Sequence, residues 1–375
     1  MKFYVIAGEA SGDSRGVELM RAIRECAPDA EFLGAGGREM RAFAGDTIFD
    51  WADEAVVGLW DVLKKYGYFR RQFHRMLAEI EAAKPDALIT IDYPGFNMRL
   101  AKAAKARMPG LRTIHYVSPQ VWAWHRGRIP KMAKFLDLML CLFPFELPLY
   151  ADAGLRAVCV GHPLLDSLAT EKREQPRDAA LVALLPGSRS KEVRKIFPIM
   201  IEAGKRLKQS RPSLRFEAAA AREPLADEMR EMLRAHGCDA AFCAVTLRTA
   251  HDLMQRAGAG MVCSGTATLE STFFGLPMVI LYKVAWLTWA VGKRLVKIPW
   301  LGLPNVLAGR EIAREFLQDA AQPEPIAGEI LRLLEDSSAR EDQQRAQAAV
   351  IASLGEPGAA RRAAAAILDS HRVID

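Results

Sequence analysis

The sequence predicts an α/β protein built of two doubly wound, Rossmann-like domains facing across a cleft, with C-terminal helices that can cross back. Three observations predict it. Short apolar runs alternate with helical patterns through the first half of the 375-residue chain. That alternation restarts after Pro163. In both halves the apolar runs end in turns rich in Gly, Ser and Pro, which is where open parallel sheets carry their ligands.

The first half opens with the strand Phe3–Ala7, followed by Gly8-Glu9-Ala10-Ser11-Gly12-Asp13 and a helix from about Gly16 to Cys26. A short strand, Glu31–Leu33, runs into a glycine-rich turn at residues 34–37, and Ala55 to Ala83 reads as largely helical. Strands follow at Ala87–Ile91, Thr113–Val117, Leu136–Leu142 and Ala157–Val160. Leu165 to Arg177 is polar and charged and reads as a linker. The second half carries strands at Leu181–Leu185, Leu214–Ala220, Ala241–Val245, Ala259–Cys263 and Met278–Tyr282, with helical patterns between them. Pro325 to His371 is rich in Ala, Arg and Glu at helical spacing. The division expected is a first domain over residues 1–165, a second over 166–340 and a helical tail over 341–375.

Composition narrows the function. Lys plus Arg exceed Asp plus Glu by 51 to 45, a net charge of +6. So mild an excess fits an anionic ligand or an anionic membrane surface better than DNA, which demands a concentrated basic stripe; no nucleic-acid partner is expected. The six cysteines are scattered without metal spacing, and Cys141, Cys159 and Cys263 lie in apolar runs and read as core residues, so neither a disulfide framework nor a bound metal is expected. The chain starts directly on a strand, and no apolar run approaches the roughly 20 residues of a spanning helix. A cytoplasmic protein is expected.

Several turns carry chemistry. Met261-Val262-Cys263 ends at Ser264-Gly265-Thr266-Ala267, and a helix then begins. Backbone N–H groups at such a helix start, with the positive end of its dipole, attract a phosphate. Glu270 lies one turn on, where a carboxylate can accept two hydrogen bonds from a ribose diol. Phosphate plus ribose indicates a nucleotide. Leu185-Pro186-Gly187-Ser188-Arg189 likewise ends a strand and opens a helix; the Arg189 fork suits a pyrophosphate, and the bland alternative is a tight turn with a solvated arginine. Asn305 can fix a ligand amide or phosphate, or cap its own turn. In the first half Glu9 offers an acid or an acceptor, while Ser11 and Asp13 suit a helix cap. Asp92 stands at the carboxyl end of a strand before Tyr93-Pro94-Gly95; it can take a proton from a hydroxyl nucleophile or bond the N–H groups of its own turn. His115 reads as an interior histidine, His162 as a residue where the halves join, and Trp122 and Trp124 as core or as the wall of a sugar or acyl site. Two stretches, Val56 to Arg75 and Lys283 to Lys297, mix apolar, aromatic and basic residues. That pattern suits a helix lying in a membrane interface as well as one packed on its own sheet.

The ordered motifs AGEASGD, IDYPGFN, HYVSPQVWAW, FPFE, VGHPLLD, LLPGSRSKEV, SGTATLE and LPNVLAGRE, between Ala7 and Glu311, resemble the lipid-A-disaccharide synthase family. The resemblance implies a two-domain glycosyltransferase of the GT-B type, peripheral on the inner leaflet of the Gram-negative inner membrane. It implies inverting transfer from UDP-2,3-diacylglucosamine to 2,3-diacylglucosamine 1-phosphate (lipid X), without a cofactor. It makes Asp92 the general base and puts Ser188, Arg189, Ser264, Gly265, Thr266 and Asn305 on the nucleotide. It further places Glu270 on the ribose and Glu9 near the acceptor. Some members carry a second acid where this chain has Gly95, which throws the base role onto Asp92. HYVSPQVWAW and IDYPGFN argue against two related readings, a UDP-N-acetylglucosamine 2-epimerase and the transferase of the peptidoglycan precursor.

Overall fold

A computed structural model describes residues 1–51, 66–122, 126–284 and 299–369. The described chain divides into two compact units, Met1–Asp166 with Glu356–Asp375, and Ser167–Gly355.

The first unit holds a seven-stranded sheet. Its strands are β1 (Lys2–Ala7), β2 (Glu31–Gly36), β3 (Ile48–Asp50), β4 (Ala87–Ile91), β5 (Arg112–Tyr116), β6 (Leu138–Cys141) and β7 (Ala157–Cys159). They pair in parallel in the order β3-β2-β1-β4-β5-β6-β7. β4, β5 and β6 are buried at every residue, including the polar Arg112, Thr113 and His115 of β5. That is the mark of a parallel sheet covered on both faces. The strand order reverses between β1 and β4, so the loops after those two strands diverge and leave a crevice.

The second unit repeats the plan with six strands: β8 (Asp178–Leu185), β9 (Arg215–Ala220), β10 (Cys243–Leu247), β11 (Ala257–Cys263), β12 (Met278–Tyr282) and β13 (Glu315–Leu317). The order is β10-β9-β8-β11-β12-β13, again all parallel. Here the reversal falls between β8 and β11. Helices Ser190–Ser210 and Pro323–Glu335 pack against each other, burying Ile196, Phe197, Met200, Ile330 and Leu333 in one apolar core with β8 and β11.

Residues 341–375, expected as a separate tail, are shared between the two units. The helix Ser337–Ser353 is pinned to the second, where the Gln343 side chain bonds both the N–H and the C=O of Met278 and Gln347 bonds the Leu276 carbonyl. The helix Ala359–Asp369 packs on the first-unit helix Ala10–Cys26. The Asp166 carboxylate accepts the N–H groups of Gly358 and Ala359 at its start, and Arg112 donates to the Ile367 carbonyl near its end. Alanine at the helix contact (Ala359, Ala363, Ala364, all 0% exposed) permits close packing, and no local signal in the sequence says which sheet such a face covers.

Candidate active site

In the second unit the loops after β8, β9, β10 and β11 converge on one cavity of about 360 Å³. Ser188, Arg189, Ser264, Gly265, Thr266 and Glu270 all line it, together with Glu192 and Arg248. Its floor is a helix start. Gly265 caps the helix Thr266–Phe273 with φ +153°, a conformation open to glycine, and no atom lies within 4 Å of where its Cβ would stand. Helix geometry leaves the first N–H groups of that helix without intrahelical acceptors. The Ser264 N–H does not join them, because it donates to the Leu281 carbonyl and extends the sheet.

Three charged neighbours of this cavity were not singled out from the sequence. Glu192 lies one turn into the helix Ser190–Ser210 and accepts from Arg189 at 3.0 Å. Its Oε2 stands 2.7 Å from where a Cβ on Gly187 would be, so the carboxylate folds over the glycine turn. Arg248, exposed and in the left-handed region at φ +57°, brings a second guanidinium to the rim; among the described residues no carboxylate pairs with it. His251 stands between two acids: Nε2 is 3.6 Å from Glu270 and Nδ1 is 2.7 Å from Glu171. Hydrogen bonding to Glu270, then to Glu171, raises its pKa to about 9 against the cost of burial. Position i+3 after Arg189 was a readable signal for Glu192. Nothing local marked Arg248 or His251, which come from a different strand–helix turn.

In the first unit the loops after β1 and β4 flank that unit's crevice and approach each other at Gly8 and Tyr93. A Cβ on Gly8 would stand 2.6 Å from the Tyr93 ring, so only glycine lets the two loops meet. Glu9 begins the helix Ala10–Cys26, and its charge helps hold the Tyr93 hydroxyl above its usual pKa, after desolvation. Asp92 and Tyr93 both take left-handed backbone, φ +50° and +44°. For tyrosine that conformation is strained. Asn97 holds it: fully buried, it donates to the carbonyls of Ile91 (3.1 Å) and Asp92 (2.7 Å). Asp92 itself accepts its neighbour Tyr93 N–H at 2.9 Å and Arg15 at 3.1 Å. The Asp92 side chain remains 35% exposed, enough to meet a ligand. Arg15 and Asn97 are the residues that reading the sequence missed here; the Asn of IDYPGFN was visible, its task was not.

The remaining candidates separate. The Asn305 side chain is 0% exposed and saturated: Nδ2 donates to Ala313 and Glu315, and Oδ1 accepts the N–H groups of Ile312 and Ala313. It ties its own loop together and is not among the residues that line this cavity. Asp13 caps a different helix from its own, accepting from Gly37, Glu39 and Met40. His115 is fully buried beside Thr90, and desolvation lowers its pKa to about 3. His162, packed on Phe143, is lowered to about 4 by burial and by Arg15. Trp122 is buried, and Trp124 lies outside the described residues. So do most of the two apolar, aromatic and basic stretches, residues 52–65 and 285–298. Of the first stretch, Phe69 packs edge-on to Trp51 in the unit's own core. No helix among the described residues is long and apolar enough to cross a membrane.

Two Rossmann-like units with loop sites at their switch points define a two-domain α/β fold of the GT-B-like kind. Solved structures share that fold at low identity. A UGT transferase from Siraitia grosvenorii in complex with UDP matches with TM-score 0.61 and 12% identity over 98% of this chain and 99% of its own. MurG from Acinetobacter baumannii matches with TM-score 0.56 and 10% identity over 98% and 99%. Sequence comparison is closer. A family model described as lipid-A-disaccharide synthetase matches residues 3–368. The lipid-A-disaccharide synthase of Trichlorobacter lovleyi is 41% identical over 97% of this chain and 96% of its own, and that of Geobacter sulfurreducens 38% over 98% and 97%. The chain belongs to the lipid-A-disaccharide synthase family.

Proposed function

We propose that this chain transfers 2,3-diacylglucosamine from UDP to 2,3-diacylglucosamine 1-phosphate, with inversion and release of UDP. One observation carries the reading beyond family membership. The second unit gathers a glycine-capped helix start, two arginines and a carboxylate one helical turn further on, in one cavity at its switch point. That is a nucleoside diphosphate's complement, with N–H groups and guanidinium for the pyrophosphate and Glu270 for the ribose.

Asp92 takes the proton of the acceptor 6-hydroxyl. The freed oxygen attacks the anomeric carbon on the face opposite UDP, the new C–O bond forms, and the bond to the β-phosphate oxygen breaks. Charge grows on the departing diphosphate, where Arg189, Arg248 and the helix-start N–H groups stabilise it; removing one such donor costs on the order of a hundredfold in rate. Arg189 must leave Glu192 to do so, an exchange of one exposed partner for a better one. The enzyme works on acylated sugars at the inner leaflet of the inner membrane, held there by the apolar, aromatic and basic stretches around residues 56–71 and 283–297.

A coupled UDP-release assay with both acylated substrates tests this. UDP release that requires donor and acceptor together is the expected result. Release from the donor alone, or none with the acylated pair, refutes it.

A further inference from the structure

A second concave feature lies wholly in the first unit. It is a groove of about 600 Å³ beside the helix Pro94–Arg107, opening at Pro94 and Gly95 directly after Asp92. Its lining reaches along that helix as far as Ala106, about 18 Å at the helical rise. Among the described residues six basic ones line it, Arg99, Lys102, Lys105, Arg128, Lys131 and Lys134, and no carboxylate does. Lys105 is held by Asp137 and the Leu111 carbonyl. Among the described residues no carboxylate pairs with Arg99, Lys102, Lys131 or Lys134, all of them exposed. Beneath them the floor is apolar, made by Met98, Met132 and Phe135.

Unpaired cations of one sign concentrate an anion. A free phosphate has no use for an apolar trough of this length, and a nucleic acid would want exposed aromatic platforms in place of a methionine floor. Cations on the rim with hydrocarbon below match an acylated, phosphorylated amphiphile, the lysine and arginine stems lying on the chain while their heads reach the phosphate. The groove starts at Pro94, two residues beyond Asp92 in the chain, at the same end of the helix Pro94–Arg107 as the loop that carries the carboxylate. Resting on the reaction proposed above, we infer that this groove holds the acceptor's phosphate and one of its acyl chains. It is then the part of the enzyme that selects a phosphorylated acceptor.

The double variant R99Q/K102Q tests the assignment, since both side chains are exposed and free of described carboxylate partners, and their loss leaves the fold intact. Activity is measured in detergent micelles with the diacylglucosamine 1-phosphate acceptor and with the same sugar lacking its phosphate. The wild type prefers the phosphorylated sugar. In the variant its KM rises about tenfold or more, the KM for the UDP-sugar stays level and the preference collapses. Equilibrium binding of the same two sugars, read without turnover, separates this inference from the reaction itself. Phosphate-dependent binding that the variant loses supports the groove even if no UDP is released. An unchanged preference overturns it, and so does an unchanged preference joined to lost binding of anionic phospholipid vesicles, which would make the groove a bilayer contact.

Discussion

Replacing Asp92 by Asn asks the structure for a clean answer. The residue sits at φ +50°, where Asn and Asp are the side chains best tolerated, so the loop survives the change where Ala would strain it. The amide oxygen of Asn can keep the Tyr93 N–H, and the amide nitrogen then faces Arg15, donor against donor. What is lost is one partly exposed contact, with side chains 20% and 35% accessible, worth about 1 kcal/mol at most. Such a loss explains no more than about a fivefold change in any equilibrium. Removal of a general base costs about 10²–10⁴ in rate, or roughly 3–5 kcal/mol of barrier. The two effects therefore separate by more than a decade. Single-turnover UDP release should fall at least a hundredfold while the UDP Kd, by titration calorimetry, stays within twofold. Arg15→Gln removes the same contact and keeps the carboxylate, and should retain more than a tenth of wild-type turnover. An Asp92→Asn enzyme working above a tenth of the wild-type rate refutes the base assignment, as does an Arg15→Gln enzyme that falls equally far.

Arg189→Ala should weaken UDP binding tenfold or more, whereas Glu192→Gln, which frees Arg189 and removes a like charge from the cavity, should tighten it about two- to fivefold; calorimetry on both reads the sign. Asn305→Ala leaves the N–H groups of Ile312 and Ala313 and the Ala313 carbonyl without their Asn305 partner in a buried loop and should cost about 2–4 kcal/mol in denaturant titration, with the UDP Kd of the folded protein unchanged. His251 is raised to about 9 in the folded chain, chiefly by Glu270 and then Glu171. The stabilisation is complete below its unfolded value near 6.5 and is lost as pH climbs through about 9, because the folded state binds the extra proton in that window. Allowing for solvent screening the loss is about 1 kcal/mol. Equilibrium unfolding of His251→Gln between pH 6.5 and 9.5 should lack that slope, and a slope equal to wild type would remove His251 from the role.

Local chemistry carried much of this into the sequence. Buried parallel strands are mostly apolar runs, so β1, β4, β5, β11 and β12 were legible within a residue or two at each end, and β8 at its carboxyl end only. The two strands that went unread, β3 and β13, are three residues long, lie at sheet edges and each carry a carboxylate, Asp50 and Glu315, whereas the equally short edge strand β7 is wholly apolar and was legible. The glycine turns after β8 and β11 announced an anion site because the same few residues make the turn and the binding groups. Asn305 stayed ambiguous for the converse reason. A polar residue after a proline reads alike whether it faces a ligand or its own loop, and only the positions of Ile312, Ala313 and Glu315 choose between them.

Period, turn chemistry and composition act over a few neighbours, and so this chain's residues alone dictated a doubly wound α/β class, the turns that end each strand and the anionic nature of the ligand. Strand order is a long-range property. It took the folded sheet to bring the turn at Gly187 beside that at Gly265, to set Arg15 against Asp92, to send the helix Ala359–Asp369 back to the first unit, and to line one groove with cations drawn from two separate segments. Each of those meetings joins residues distant along the chain, and the energy that fixes them comes from burying whole faces, which no local pattern specifies.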